Sequence, residues 1–454
     1  MKSGDSFKSW PDNGDAQFSI VGSGLAGALL ACYLGRAGYR VDLFEKRPDP
    51  RDREKQEGRS INLAISVRGI QALREIGLAD QVLQDAIPMR GRMIHSRTRK
   101  LTFQPYGKDD SESINSISRG GLNVTLLQAA AQYSSVRLFF QQRCTGIDLH
   151  APAIELQDET NHQTRKVSCN IVIGADGAYS AVRAQMQKQE QFNFQQDYLS
   201  HGYKELTMPA LTDGSFAMEK YALHIWPRRS FMLIALPNLD GSFTCTLFLP
   251  FSGPNSFAVL KTPTDVGKFF QKQFPDAASR MPGLAADFFD NRTGTMVTVR
   301  CSPWHVGGRV LLIGDACHAV VPFLGQGMNA AFEDCTVLNH CLAEFGSEWE
   351  KAFQAFEARR KVHVDTLADL CLLNFLEMRD LVGSRIFVLK KKLDNLLHKI
   401  LPRWYLPLYT MITFTRIPYA DARQRAKTQQ RVIRAILALL GLLLLSLLIL
   451  WLRT

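Results

Sequence analysis

The chain has 454 residues, 46% of them hydrophobic and 21% charged, a composition that excludes both a small stapled domain and a largely disordered chain and leaves room for two or three packed units. A net charge of +11 raises nucleic acid as a partner, but Lys and Arg are spread along the chain and gather only near its end (Lys390, Lys391, Lys392, Lys399, Arg423, Arg425, Lys427, Arg431, Arg434), which points to a membrane surface and away from nucleic acid. The nine cysteines form no CxxC pair and no zinc spacing with the scattered histidines, so they read as small buried residues of a reduced protein, with no metal expected.

Met1 to Asp15 is polar, lacks a secretory signal and is the one stretch where disorder is a candidate. Phe18–Val21 is a short apolar run that predicts a strand, followed by Gly22-Ser-Gly24-Leu-Ala-Gly27. A helix is predicted from Ala26 to about Arg36 with a stop at Gly38, then a strand from Arg40 to Phe44 ending in Glu45. This is one β-α-β unit. Its three glycines let the backbone turn tightly against a pyrophosphate at a helix N-terminus, and Glu45 is placed to accept from a ribose hydroxyl, so the unit reads as dinucleotide-binding. It is the one GxGxxG in such a context, so a second nucleotide has to visit transiently.

The polar stretch Lys46 to Gly58 reads as a loop, and a helix from about Ser66 to Ile76 closes at Gly77. Strands are predicted at Val136 to Phe140, Ala153 to Leu156 and Cys169 to Ile173. Between Tyr203 and Phe251 the pattern becomes a run of strands (Ala222 to Trp226, Phe231 to Ala235, Phe243 to Leu249) split by turn residues. A strand Arg309 to Ile313 precedes Gly314-Asp315 and a long helix from about Gln326, and after Trp349 the chain reads as helical. From Ala435 to Leu452 there is no charge and the residues are mostly Leu and Ile, with Arg434 and Trp451 at the ends. A buried core hairpin would also fit, but a run apolar on every face fits a bilayer span better, with the body on the cytoplasmic side.

The resulting fold class is α/β: a Rossmann-like dinucleotide-binding domain (16–195 and 295–345) with an inserted antiparallel-sheet substrate domain (196–294), a C-terminal helical part (346–430) and a transmembrane helix (435–452).

Two later segments, Ile171-Val-Ile-Gly174-Ala-Asp176-Gly177-Ala-Tyr-Ser180-Ala-Val-Arg183 and Val310-Leu-Leu-Ile-Gly314-Asp315-Ala-Cys-His318, each put an Asp after a strand and a glycine. Alone, each Asp is equally a helix cap. In this order, with the first glycine set, they resemble the FAD signatures of the flavin aromatic hydroxylases. Gly58–Gly69, Pro88–His95, Pro105-Tyr106-Gly107, Pro322–Asn329, Asn374–Asp380 and Pro407–Met411 are similar to the kynurenine 3-monooxygenase branch of that family, over about Phe18 to Arg434.

That resemblance implies FAD held noncovalently by Gly22, Gly24, Gly27, Glu45, Arg119, Asp315, Gly327, Met328 and Asn329, with NADPH as co-substrate and O2 consumed. It implies hydroxylation of L-kynurenine to 3-hydroxykynurenine through a C4a-hydroperoxyflavin, without a catalytic side chain. Arg92 and Tyr106 match the pair that binds the substrate carboxylate, and Asn374, Glu377 and Tyr409 match residues near the pocket, while Leu324 departs from the His or Phe of other members. Read without the resemblance, Arg119 is a surface arginine, Tyr106 a turn aromatic, and Asn374 and Glu377 one solvated helix face. His318 reads as a structural hydrogen-bonder. The rival functions are a membrane-associated flavin reductase of a prenyl lipid or quinone, and a flavin-binding module without turnover.

Overall fold

The computed structural model describes residues 17–52, 62–107, 109, 112–151, 153–377 and 385–453. The polar N-terminus, the end of the Lys46 to Gly58 loop, the Gly58 to Ile61 start of one motif and the Met378 to Asp380 end of another lie outside the described residues.

The nucleotide-binding half is built on a six-stranded sheet. Val310–Leu312, Ile171–Gly174, Phe18–Val21, Val41–Phe44 and Val136–Phe139 run parallel in that spatial order, and His305–Val306 closes one edge antiparallel. Every residue of Phe18–Val21, Val41–Phe44 and Ile171–Gly174 is buried, as expected of parallel strands covered on both faces. Leu25–Arg36 packs against Arg119–Ala130 and Gly327–Phe345. Where the sequence reading gives bounds for these elements they are met within a residue or two, and it gives none for the helix Arg119–Ala130 or the strand His305–Val306.

A seven-stranded sheet forms the second layer, in the order Gly294–Ser302, Asn193–Met208, Phe243–Pro250, Met232–Pro237, Ala222–Pro227, Gly91–His95, Leu101–Pro105. Side chains alternate strictly along Met232–Pro237. Leu233 and Ala235 face a cluster closed by helices Pro263–Gln273 and Leu284–Asp290, while Met232 and Ile234 face the nucleotide-binding half.

This sheet is wider than the expected insertion at 196–294. It continues to Ser302 on one side, and on the other takes two strands from the first segment, Ala222–Pro227 pairing parallel with Gly91–His95. Gly91–His95 (Gly-Arg-Met-Ile-His) lacks the alternation that marks a strand in sequence, and in Leu101–Pro105 the alternation lasts only four residues before Pro105, with Leu101 and Phe103 exposed. A Cβ on Gly91 would stand 2.5 Å from the Gln104 carbonyl oxygen, so the pairing itself requires glycine there.

The C-terminal part begins with Trp349–Leu376, packed on Gly327–Phe345, and continues through Arg385–Ile400, Leu408–Phe414 and Tyr419–Arg453. It is clamped to the nucleotide-binding half by Arg68, a buried residue on the helix Val67–Glu75. The Arg68 guanidinium donates to the carbonyls of Ile412 (2.6 Å), Thr415 (2.8 Å) and Ile417, pairs with Glu333 (3.2 Å), and lies 4.1 Å from the Tyr419 ring centroid. Tyr419, Ala422, Ala426 and Gln429 are buried, whereas the same helix from Ile436 onward exposes nearly every large apolar side chain that is described.

Replacing Arg68 by Leu leaves three carbonyls without their donor and removes one of the two arginines that pair with Glu333. Breaking a buried charged network costs about 3–5 kcal/mol, so Arg68→Leu should lower the melting temperature clearly, with protease cleavage appearing first after residue 400. An unchanged melting temperature would contradict the clamp.

Candidate functional site

Three loops converge at the carboxyl ends of the parallel strands. Gly22 has φ +100°, and a Cβ there would stand 2.6 Å from the Ala175 carbonyl oxygen; a Cβ on Gly27 would stand 2.0 Å from the Gly22 oxygen. Gly24 faces open space, and the helix after it has no side-chain cap, so its first N–H groups point outward unpaired by any side chain. Glu45 is buried at the end of its strand; its Oε2 accepts from Ser23 N (3.0 Å) and its Oε1 from Arg47 Nε (2.9 Å). Burial pushes its carboxyl up, but Arg47 and the Ser23 and Arg47 N–H groups outweigh that and hold it below the usual range. Glu45 is therefore an ionised acceptor with capacity left for a hydroxyl.

Asp176, in the second loop, caps the helix Ala181–Met186 through Ala181 N (2.7 Å), as its local reading allows, and its Oδ1 is buried without a donor. Buried Arg183 donates to Ala178 O and Ala316 O, both at 2.7 Å, tying the second loop to the third. In the third, Gly314 (φ +61°) leads into Asp315. Asp315 is accessible to the cleft yet closely ringed by protein, and that crowding raises its carboxyl against the pull of His318 and Arg119. Arg119 is exposed at the start of Arg119–Ala130, near enough to act on Asp315, Tyr203 and Glu205.

What holds the third loop is a buried group that the sequence reading does not single out. Asp334, with no exposed surface, accepts from Gly314 N (3.2 Å), His318 Nε2 (2.5 Å) and Arg360 Nε (2.7 Å). Burial works against its charge, but His318 and Arg360 prevail and its pKa is lowered. His318 is thus a structural partner, as its lone position suggests.

The helix Gly327–Phe345 starts after Gly325 (φ +63°) with no side-chain cap, which leaves the N–H groups at Gly327 and Met328 available. Asn329 differs: its side chain is buried and occupied, accepting from Ser66 N (2.8 Å) and donating to Ala64 O and Gly325 O (both 2.9 Å). Its side chain fixes the loop, and only its backbone can face a ligand.

The five residues matched to a substrate pocket sit beyond this loop. Arg92 lies on Gly91–His95, whose position is held by His95, bonded to Asp276 (2.7 Å) and His224 (2.9 Å). Tyr106 follows the neighbouring strand and Tyr409 lies on Leu408–Phe414; their rings stack with centroids 5.5 Å apart, and the Arg92 guanidinium carbon is 4.8 Å from the Tyr409 centroid and 5.5 Å from that of Tyr106. Arg92 Nε and Tyr106 Oη are buried without a hydrogen-bond partner. Burial pushes the Tyr106 hydroxyl well above its usual pKa, so it remains a donor. Asn374, which donates to Phe323 O (2.7 Å), and Glu377 line the same cavity as Arg92, Leu324, Tyr405 and Tyr409. Arg90, two residues from Arg92, is exposed and lies over Tyr221 at 4.9 Å.

The first set of loops fits FAD: an outward helix start, an open glycine, an ionised acceptor where a ribose would lie, and a second uncapped helix start for a flavin ring. The second set fits an amino-acid carboxylate.

The family described as FAD binding domain matches residues 15–370. The chain is 50% identical to kynurenine 3-monooxygenase of Myxococcus xanthus, over 89% of this chain and 87% of that one. It is 44% identical to kynurenine 3-monooxygenase of Dictyostelium discoideum, over 91% and 92%. Among solved structures, 2-methyl-3-hydroxypyridine-5-carboxylic acid oxygenase aligns with a TM-score of 0.66 at 21% identity (83% of this chain, 96% of that one). PqsL of Pseudomonas aeruginosa in complex with 2-aminobenzoylacetate aligns with 0.64 at 19% (80% and 97%). At that identity the structures speak for the fold alone.

Two outcomes follow from the loop geometry. Gly27→Ala drives a methyl into backbone, so the protein should purify with little flavin absorbance; full flavin content would contradict the tight turn. Asp334→Asn should cost roughly 3–5 kcal/mol at neutral pH. Because the folded pKa of Asp334 is depressed, its contribution is complete above the unfolded value of about 3.9 and is lost as pH falls through the folded value. The gap in melting temperature between wild type and Asp334→Asn should therefore hold from pH 8 to 5 and shrink only in stronger acid.

Proposed function

The chain belongs to the kynurenine 3-monooxygenase family, and from that premise we propose that it hydroxylates L-kynurenine to 3-hydroxykynurenine, consuming NADPH and O2 with FAD bound noncovalently. The observation that carries the substrate assignment is the buried, unpartnered pair of Arg92 Nε and Tyr106 Oη facing Tyr409. A guanidinium grips a carboxylate with two parallel charge-assisted hydrogen bonds, and the tyrosine hydroxyl donates a third. No acidic side chain forms a salt bridge with Arg92 among the described residues, so its charge is available to an incoming anion.

When bound and reduced, FAD would activate O2, one atom of which enters the ring ortho to the arylamine while the other leaves as water. The arylamine already activates that carbon, so the chain needs no general base. Its own residues orient and exclude: Arg92 and Tyr106 hold the amino-acid end, and Leu324, Asn374, Glu377 and Tyr409 form the walls between that end and the loop at Gly327. Gly22, Gly24, Gly27, Glu45, Arg119 and Asp315 hold the cofactor, with backbone at Gly327, Met328 and Asn329 toward the flavin. A prenyl lipid or quinone would leave the Arg92 charge buried and unmatched, which disfavours that reading. The run Ala435–Leu452 anchors the protein in a bilayer, with the catalytic body on the cytoplasmic side, a reading supported by its apolar composition and the basic residues before it.

Kynurenine-dependent NADPH oxidation tests the activity directly; oxidation unaffected by kynurenine would overturn it. Removing one partner of a buried charged pair costs about 2–5 kcal/mol, so Arg92→Ala should raise the apparent kynurenine constant roughly 30-fold or more with flavin retained. Tyr106→Phe should cost less, about 1.5–3 kcal/mol, and both should release more hydrogen peroxide per NADPH. Arg90→Ala is the control and should leave kynurenine binding unchanged.

A further inference from the structure

The helix Arg385–Ile400 is amphipathic in the inverse of the usual sense. Leu389, Leu393, Leu396 and Ile400 fall within about 60° of arc at 100° per residue, and they are 68%, 44%, 51% and 64% exposed. The opposite face is the anchored one: His398 is buried and Asp394 accepts from the Tyr405 hydroxyl at 2.5 Å. Just beyond the stripe, Trp404 is 41% exposed. Contiguous apolar surface of this kind, bordered by charge, marks an interaction site.

Its position says with what. The Trp404 carbonyl accepts from Gln429 Nε2 (2.7 Å), and the Arg403 carbonyl from Arg425 Nη2 (3.5 Å). Both donors are on the continuous helix Tyr419–Arg453, and Gln429 stands about 9 Å along the axis before Ala435, at 1.5 Å per residue. The stripe is therefore fastened at the foot of the apolar run. Exposed cations surround that foot: Lys399, Arg403, Lys427, Arg431 and Arg434, and the helix sequence also carries Lys390, Lys391 and Lys392.

We propose that Arg385–Ile400 and Trp404 lie in the headgroup region of an anionic bilayer, as a second, in-plane membrane contact beside the C-terminal span. The inference rests on reading Ala435–Leu452 as that span. A stripe of exposed leucines followed by an exposed tryptophan, in a segment rich in basic residues, is what such an interfacial helix requires, and a partner protein or a second copy has no comparable reason to meet the stripe at this place. Because Asp394 and Tyr405 line the cavity that also holds Arg92 and Tyr409, the inner face of the same helix is a wall of the proposed substrate pocket. The bilayer then steadies one side of that pocket.

The full chain, reconstituted with FAD into vesicles containing anionic lipid brominated at upper acyl positions, provides the test. Single cysteines at Leu396, Leu444 and Leu239 carry a fluorophore; the native cysteines are buried, apart from half-buried Cys144, and the unsubstituted chain gives the background. An interfacial helix sinks about 5–10 Å into the headgroup boundary, so emission at Leu396→Cys should fall roughly to half, that at Leu444→Cys should also fall, and that at Leu239→Cys, on an exposed hairpin, should not. Quenching at Leu444 with none at Leu396 overturns the in-plane contact and leaves the span intact. No quenching at Leu444 removes the span, and the inference with it.

Discussion

The cofactor-side architecture depends on one buried carboxylate. Asp334 is without exposed surface, and its three donors come from the Gly314 turn, from His318 and from the long helix Trp349–Leu376. A buried charge of this kind is tolerable only when fully paired. Here the pairing continues: Arg360 also donates to Glu333 (2.6 Å), and Glu333 receives Arg68. Two acids and two arginines, adjacent in space but drawn from three helices, fix the distance between the signature loops and the helices behind them.

The same chain of charges reaches the substrate side. Arg68 holds the carbonyls at the end of Leu408–Phe414, the helix carrying Tyr409, and its other neighbour Tyr419 donates to Gln326 Oε1 (3.1 Å) beside the loop proposed to face the flavin. Asn329 and Ser66 close the circuit from the other end. The loop at Gly325 and the Tyr409 segment are thus positioned by a single buried network, so a cofactor and a substrate held at the two places meet in a fixed relation. Fixed relation is what oxygen transfer between two bound molecules demands.

Much of this was legible in sequence, for identifiable reasons. The β-α-β glycines, Glu45 and the helices at Leu25–Arg36, Val67–Glu75 and Gly327–Phe345 depend on local backbone chemistry and periodicity, which a linear reading detects. The residues matched to the substrate carboxylate were found through resemblance, and the structure does bring Arg92, Tyr106 and Tyr409 into one contact group. The strands Gly91–His95 and Leu101–Pro105 are not legible because the first carries no alternation and the second alternates over only four residues, too few to stand out. Asp334, Arg360 and Arg68 were missed because their meaning lies in partners distant along the chain, and nothing in their local sequence distinguishes them from surface charges on amphipathic helices. Asn329 was assigned to the cofactor by its motif, whereas its side chain proves to be the brace of the loop.

The way Arg92 is kept charged bears on how the proposed pocket discriminates. An acid beside it would neutralise the guanidinium and compete with any incoming carboxylate. Two aromatic faces do neither: the rings of Tyr106 and Tyr409 offer cation–π attraction, worth about 0.5–2 kcal/mol, while the buried Nε–H stays without an acceptor. The site therefore holds its cation under partial compensation, and a ligand without an anion would bury that cation further without pairing it. A ligand lacking the carboxylate forfeits the hydrogen bonds and also incurs the desolvation of the donors it covers. Selectivity for an amino-acid substrate over an apolar one then follows from an unpaired charge among aromatic rings, with the ring-facing walls, Leu324 among them, free to differ within the family.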